Sequence, residues 1–375
     1  MTDFLLEDLI RPEIRSLRAY AVPDADGLIK LDAMESPYGW PPDLRDAWLE
    51  TLRDLPLNRY PDPRARALQQ ALREAMGVPA DMALLLGNGS DELIQMLALA
   101  VTVSGSERRR TLMSLDPGFV MYRMIALFAG LDYVGVPLRA ADFSLDLDAT
   151  LAALERERPA LVFIAYPNNP TGNLFDDDAI ERIIEASPGL VVCDEAYAPF
   201  TDRSFLPRLG DWPNLLVMRT VSKMGLAGLR LGYLAGPARW LEQIDKVRLP
   251  YNINCLTQAS AAFALRHRGL LDEQTREIRR ARGELFDALL GVDGVEPYPS
   301  DANFILLRTE PGLAGAVHRG LRERGVLIKN LDGSHPQLAD CLRVTVGAPE
   351  ENAAFLEALQ GTLRPRGIDR AGLSE

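Results

Sequence analysis

From about residue 81 onward, short apolar runs alternate regularly with helix-period stretches, and few architectures can accommodate that pattern. The runs are Met82–Leu86, Thr111–Leu115, Tyr133–Pro137, Leu161–Ala165, Leu190–Cys193, Leu215–Arg219 and Leu231–Ala235. Several are apolar at almost every position, as strands are when both faces of their sheet are covered. Between them lie the helical patterns Asp91–Val103, Phe119–Ala129, Asp148–Arg156 and Asp177–Ala186. Such alternation predicts an α/β chain with a mostly parallel, doubly wound, seven-stranded sheet and helices on both faces. The connection from Arg219 to Leu231 is too short for a crossover helix, so the last two strands are expected to run antiparallel.

After this the pattern changes. Glu242–Arg282 reads as long helix, broken near Pro250 and at His267–Gly269. Short strands (Phe304–Arg308, Val326–Ile328, Leu342–Val346) then mix with helices (Leu313–Arg324, Glu351–Leu363), which predicts a smaller α+β domain. The expected division is an N-terminal arm over 1–40 that packs on the small domain or a partner subunit, a large domain over 41–265 and a small domain over 266–375. The cluster Arg108–Arg110 reads as a solvated turn.

Charge and composition remove several classes of function. A net charge of −12 disfavours any nucleic-acid partner. Cys193, Cys255 and Cys341 cannot all pair and none forms a C-x-x-C, so they read as reduced thiols of a cytoplasmic protein. His267, His318 and His335 show no metal-ligand spacing, and no metal is expected. Met1–Ile10 lacks the basic flank of a signal peptide, and no apolar run nears the roughly 18 residues of a membrane span. Of 41 basic residues only Lys30, Lys223, Lys246 and Lys329 are lysine. Lysine, unlike arginine, can release its proton and form a Schiff base, so each one bears inspection. Lys30 and Lys246 read as surface residues.

Ligands of open α/β sheets bind at the carboxyl ends of the strands. After Leu86 comes Gly87-Asn88-Gly89-Ser90-Asp91-Glu92, which offers backbone N–H groups to an anion, although Ser90 or Asp91 could equally be a plain helix cap. Phe119 follows the next strand, as a ring stacker or as core. Pro167–Gly172 carries amides in a turn-rich segment. Asp194 ends a buried strand, where a carboxylate needs a cation. Thr220-Val221-Ser222-Lys223 places a lysine beside a serine, with Arg230 seven positions on. A phosphate cradle, a ring stacker, an amide donor, a carboxylate and a lysine at successive strand ends are what holding pyridoxal phosphate requires.

In these stretches the chain resembles the fold-type I pyridoxal-phosphate aminotransferases of the class I/II group, and within them the histidinol-phosphate aminotransferases. The resemblance is carried by Leu31–Gly39, Asn58–Asp62, Gly87–Glu92, Pro167–Gly172, Asp194–Tyr197, Arg219–Arg230 and Cys341–Gly347. It implies the fold-type I transferase architecture, with the large domain binding pyridoxal 5'-phosphate. Lys223 would be the Schiff-base lysine and proton shuttle, and Asp194 the partner of the pyridine nitrogen. Tyr197 and Asn169 would contact the phenolic oxygen, and Phe119 would stack on the ring. Ser90, Asp91, Ser222 and Arg230 would clamp the phosphate, joined by Tyr60 of a second subunit in a homodimer. Arg343 would grip the substrate's carboxylate or phosphate. Tyr20, Asn254 and Lys329 match further phosphate contacts, while Lys329 also reads as a solvated strand-end lysine.

The implied reaction transfers an amino group between L-histidinol phosphate and 2-oxoglutarate, with glutamate as the companion amino acid, in histidine biosynthesis. Same-fold alternatives are an aromatic or other amino-acid aminotransferase and a threonine-phosphate decarboxylase. A non-enzymatic pyridoxal-phosphate-binding regulator is the alternative from another class. Two departures stand out. The family's Asn-Glu-Asn-Pro reads Met34-Glu35-Ser36-Pro37, and the Lys223–Arg230 spacing is one residue shorter than in many relatives.

Overall fold

The computed structural model describes residues 9–17, 19, 23–102 and 110–363. Its strands are β1 (Ile29–Leu31), β2 (Ala83–Gly87), β3 (Thr111–Asp116), β4 (Asp132–Pro137), β5 (Leu161–Ala165), β6 (Leu190–Asp194), β7 (Leu215–Thr220), β8 (Gly232–Gly236), β9 (Val295–Pro297), β10 (Phe304–Thr309), β11 (Val326–Asn330) and β12 (Cys341–Thr345). Seven of them form one sheet in the order β2-β8-β7-β6-β5-β3-β4. Pairing is parallel from β7 through β6, β5 and β3 to β4, and antiparallel where β8 meets β7 and β2. The short link after β7 thus makes the return strand expected of it.

Side chains alternate between two cores along each central strand. In β5, Leu161, Phe163 and Ala165 enter one core, and Val162 and Ile164 the other. In β7, Leu216 and Met218 face the first core, and Leu215 and Val217 the second. Helices Gly89–Val101 and Val120–Ala129 close the first face. Arg66–Met76, Leu147–Glu157, Asp177–Ala186 and Cys255–Arg266 close the second. Both faces being dry explains why these strands are apolar throughout.

Three helices lie outside the sequence expectation, the shortest being Pro12–Arg15 in the region read as an arm. Pro42–Leu52 has no fully buried residue and only a short apolar stripe, Leu44, Trp48 and Leu52, half-buried on one side. Arg66–Met76 starts after Ala65 in a left-handed conformation, and the oxygen that takes its first N–H comes from Asp62, outside the usual N-cap position. The helical stretch expected from Glu242, broken near Pro250 and at His267–Gly269, is three helices, Ala238–Ile244, Cys255–Arg266 and Arg268–Leu290, with its breaks at those places and its ends four residues earlier and eight later.

The remaining strands form a five-stranded sheet, β1-β11-β12-β10-β9. Phe304, Leu307 and Val344 of this sheet share a third core with Ile278, Leu285 and Leu289 of the long helix Arg268–Leu290. β1 comes from the region read as an arm, and it pairs in parallel with β11, Ile29 opposite Val326 and Leu31 opposite Ile328. The polypeptide leaving β1 then runs straight to the strand ends of the large sheet.

Candidate active site

A cavity of 370 Å³ opens at the carboxyl ends of β3, β5, β6 and β7. Lys223 sits on the single 3-10 turn Ser222–Met224 after β7, and its Nζ donates to the Ala33 carbonyl at 3.3 Å. Burial, and next the nearby Arg343 cation, bring its amine down from 10.5 to about 8. Close to neutral pH this lysine can therefore shed its proton, as a nucleophile or base must.

Opposite lies Asp194, the last residue of β6, 4 % exposed. One oxygen accepts the Tyr122 hydroxyl at 2.6 Å and the other the Ala196 N–H at 3.1 Å. Burial pushes its carboxyl up to about 6 despite both donors. No cation contacts it among the described residues, so it is a buried acid still wanting a positive partner.

Along the third wall, Asn169 donates to the Tyr197 hydroxyl at 3.0 Å, and that hydroxyl donates to Met34 Sδ at 3.3 Å. Asn169 Oδ1 in turn accepts from Arg343 Nη1 at 2.6 Å, while Arg343 Nη2 donates to the Asp32 carbonyl at 3.1 Å. Arg343 is buried against the face of Phe304 and lies behind the cavity wall.

The far end is built from backbone. Gly89, Ser90 and Asp91 open the helix Gly89–Val101, so their N–H groups belong to the unpaired first turn and carry its positive end. Two glycines make this cradle possible. A Cβ on Gly89, whose φ is +76°, would sit 2.9 Å from Arg230 Nη2, and one on Gly232 would sit 2.7 Å from the Gly89 carbonyl carbon. Arg230 Nη2 also lies 3.5 Å from Asp91, so the shortened loop delivers this guanidinium to the cradle. Thr220 and Ser222 hydroxyls lie 2.8 Å apart on the adjoining wall.

These residues suit pyridoxal phosphate. An N–H cradle with a guanidinium fits a phosphate, the cationless Asp194 fits a protonated ring nitrogen, and Lys223 is placed to react with a carbonyl. Phe119 lines the cavity between them.

The structure thus gathers Ser90, Asp91, Phe119, Asn169, Asp194, Tyr197, Ser222, Lys223 and Arg230 around one cavity, with Arg343 one hydrogen bond behind. Three residues it does not bring there within one chain. Tyr60 is 80 % exposed and stacks on Tyr251 at 4.4 Å. Asn254 is exposed and caps the helix Cys255–Arg266 through Thr257 N. Lys329 stands opposite Arg343 in the β11–β12 register. Tyr20 lies outside the described residues. The sequence reading missed Tyr122, whose signal was its place three residues after Phe119, the spacing that puts two side chains on one side of a helix. It also missed Ala33, Met34 and Glu35 as cavity walls, because they follow β1, a strand too short to be read from its pattern.

The family model for aminotransferases of class I and II matches residues 26–359. Histidinol-phosphate aminotransferase 2 of Nitrosococcus oceani is 58% identical over 360 residues, covering 96% of this chain and 99% of that one. The protein of the same name from Cupriavidus pinatubonensis is 55% identical over 365 residues, covering 96% and 98%. Among solved structures, histidinol-phosphate aminotransferase from Sinorhizobium meliloti, in complex with pyridoxal-5'-phosphate, superposes with a TM-score of 0.83 at 27% identity, covering 97% of this chain and 99% of that one. The chain belongs to the class I and II aminotransferases and is a pyridoxal-phosphate-dependent enzyme of the fold-type I architecture. The relatives that share more than half of its residues over nearly its whole length are named histidinol-phosphate aminotransferases.

Proposed function

We propose that this enzyme transfers the amino group between L-histidinol phosphate and 2-oxoglutarate, the step that serves histidine biosynthesis. The observation that carries the reading is the likeness of 58% over 360 residues to a relative of that name. The fold alone would not decide it, since L-threonine-O-3-phosphate decarboxylase from Porphyromonas gingivalis superposes with a TM-score of 0.74 at 24% identity.

Bound pyridoxal phosphate supplies the carbonyl that condenses with amines and the protonated ring that takes up electrons released at the substrate's Cα. Lys223 anchors the cofactor and, once freed, moves the proton at Cα, a task for which an amine near 8 is suited. Asp194 holds the ring nitrogen in its protonated form, and Tyr197 with Asn169 supports the phenolic oxygen. Phe119 stacks on the ring. The Ser90 and Asp91 backbone, Ser222 and Arg230 hold the phosphate. Arg343 receives the substrate's anionic group, with Lys329 beside it in register.

We assign Tyr60 to the cofactor phosphate of a second copy of the chain, and Tyr20 and Asn254 to the substrate's phosphate. Support for a homodimer comes from Leu49, Leu57, Tyr60, Leu249, Tyr251 and Leu256, large apolar side chains exposed on adjoining elements. Among the described residues no helix is long and apolar enough to cross a membrane. We place the enzyme in the cytoplasm on the strength of its three free cysteines, and without nucleic-acid partners on its charge of −12.

The test is a single half-reaction followed by absorbance. The yellow holoenzyme is mixed separately with histidinol phosphate, histidine, phenylalanine and threonine phosphate. Loss of the yellow band at low concentrations of histidinol phosphate alone is expected. A band that survives histidinol phosphate and is bleached by an amino acid would overturn the substrate assignment and leave the aminotransferase standing. Release of CO2 from threonine phosphate would favour the decarboxylase.

A further inference from the structure

Tyr122 is a buried phenol that the chemistry above does not use. It is 1 % exposed, and its hydroxyl donates its single proton to Asp194 at 2.6 Å. Its ring is stacked on Phe163 at 4.7 Å and meets the edge of Phe119 at 5.5 Å. Phe119 lines the cavity and Tyr122 does not, so this phenol can reach a ligand only through the carboxylate it touches.

We infer that Tyr122 is a positioning residue for cofactor binding: its hydroxyl keeps the Asp194 carboxylate ionised and aimed for a cationic ring nitrogen. Asp194 has only two donors among the described residues, Tyr122 and the Ala196 N–H. The nearby acidic groups work against its charge. Asp91, from the helix Gly89–Val101, and Glu195, its chain neighbour, both push its proton affinity up. Tyr197 and Cys193 are held neutral by burial, and Lys223 stands across the cavity with its Nζ on the Ala33 carbonyl. With burial already lifting the carboxyl to about 6, loss of the phenol removes the foremost influence holding it down. A protonated Asp194 cannot pair with a cationic nitrogen, so cofactor affinity falls by the fraction left ionised.

The inference rests on the cofactor site and is independent of the histidinol-phosphate assignment. Its test is the apparent affinity of the full-length apoprotein for pyridoxal phosphate, read by the bound cofactor's absorbance at pH 6 and pH 8.5. Comparing Tyr122→Phe with wild type at each pH cancels the cofactor's own titration. The variant is expected to bind about 10-fold more weakly at pH 6, with the gap shrinking at pH 8.5. In an Asp194→Asn background the same change is expected to have no pH-dependent effect. Equal affinities, or a deficit that is the same at both pH values or that persists in the Asp194→Asn background, would overturn it and leave Tyr122 a packing residue. Should Tyr122→Phe fail to fold, 3-fluorotyrosine placed at 122 keeps the shape and makes the phenol a stronger donor. Tighter binding than wild type at pH 6 is then expected, and unchanged or weaker binding overturns the inference.

Discussion

Asp194 and Glu195 are consecutive, both acidic and both buried, yet they inhabit different chemical worlds. Glu195 is turned away from the cofactor cavity and is fully answered: Arg219 approaches to 2.7 Å, the Ser204 hydroxyl donates at 2.9 Å, and the Phe205 N–H donates as well. Asp194 faces the cavity and has a phenol and one amide. A buried carboxylate that owns its cation is part of the scaffold; one that lacks it is kept for a ligand's positive charge. The strand's period of two, which sends neighbours to opposite sides, is what lets one pair of residues serve both ends.

Substitutions at the two positions separate these roles. Asp194→Asn should have the largest effect, cutting transamination on the order of 10³-fold, about 4 kcal/mol of barrier, in steady-state assays. Its apoprotein should lose no stability. Folding raises the Asp194 pKa from 3.8 to about 6, so between these values the folded chain binds more protons than the unfolded one. Stability therefore falls as pH climbs through that window and remains lower above it. Removing the charge should make the apoprotein more stable than wild type at pH 8 by up to about 3 kcal/mol, with the difference closing toward pH 4, as urea titrations would show. Glu195→Gln should behave in the opposite way. Arg219 left without its counter-ion should cost about 3 kcal/mol of stability, while kcat of the folded enzyme stays within a few-fold of wild type.

Gly89→Ala comes next. Its Cβ would displace the Arg230 guanidinium from the cradle, in a backbone conformation alanine resists, so pyridoxal-phosphate affinity should drop about 10-fold by equilibrium titration. The smallest effect concerns the rim. Asn254→Asp retains the capping oxygen, so unfolding should shift by less than about 0.5 kcal/mol. The KM for histidinol phosphate should rise several-fold if residue 254 meets the substrate's phosphate. An unchanged KM would reduce Asn254 to its cap.

Most of the cavity was legible in the sequence because its residues sit within a few positions of strand ends, where local pattern determines geometry. Asp194 closes an apolar run, and Lys223 and Ser222 follow the next one. The antiparallel β8 was legible for a similar reason, since a link too short for a helix leaves no other route. What escaped depends on long-range meetings that no local pattern encodes. Tyr122 is 72 residues from Asp194, and Arg343 is 174 from the Asn169 it grips. β1 has only three residues and shows no alternation long enough to read. Tyr60 and Asn254 make their contacts away from the cavity, with Tyr251 and Thr257, so nothing in their own chain ties them to it.

The path of residues 32–35 has a mechanical meaning. This ribbon is pinned to the five-stranded sheet on both sides: Met34 N–H donates to Thr345 Oγ1 of β12, Asn303 donates to the Met34 carbonyl, and Arg343 holds the Asp32 carbonyl. Yet it is Ala33, in the middle of the ribbon, that accepts from Lys223, a residue mounted on the seven-stranded sheet. The lysine's tether and its pedestal thus belong to different sheets. A shift of one sheet against the other would therefore be felt at the reactive amine itself, as well as at the Arg343–Asn169 and Tyr197–Met34 contacts that cross the same seam.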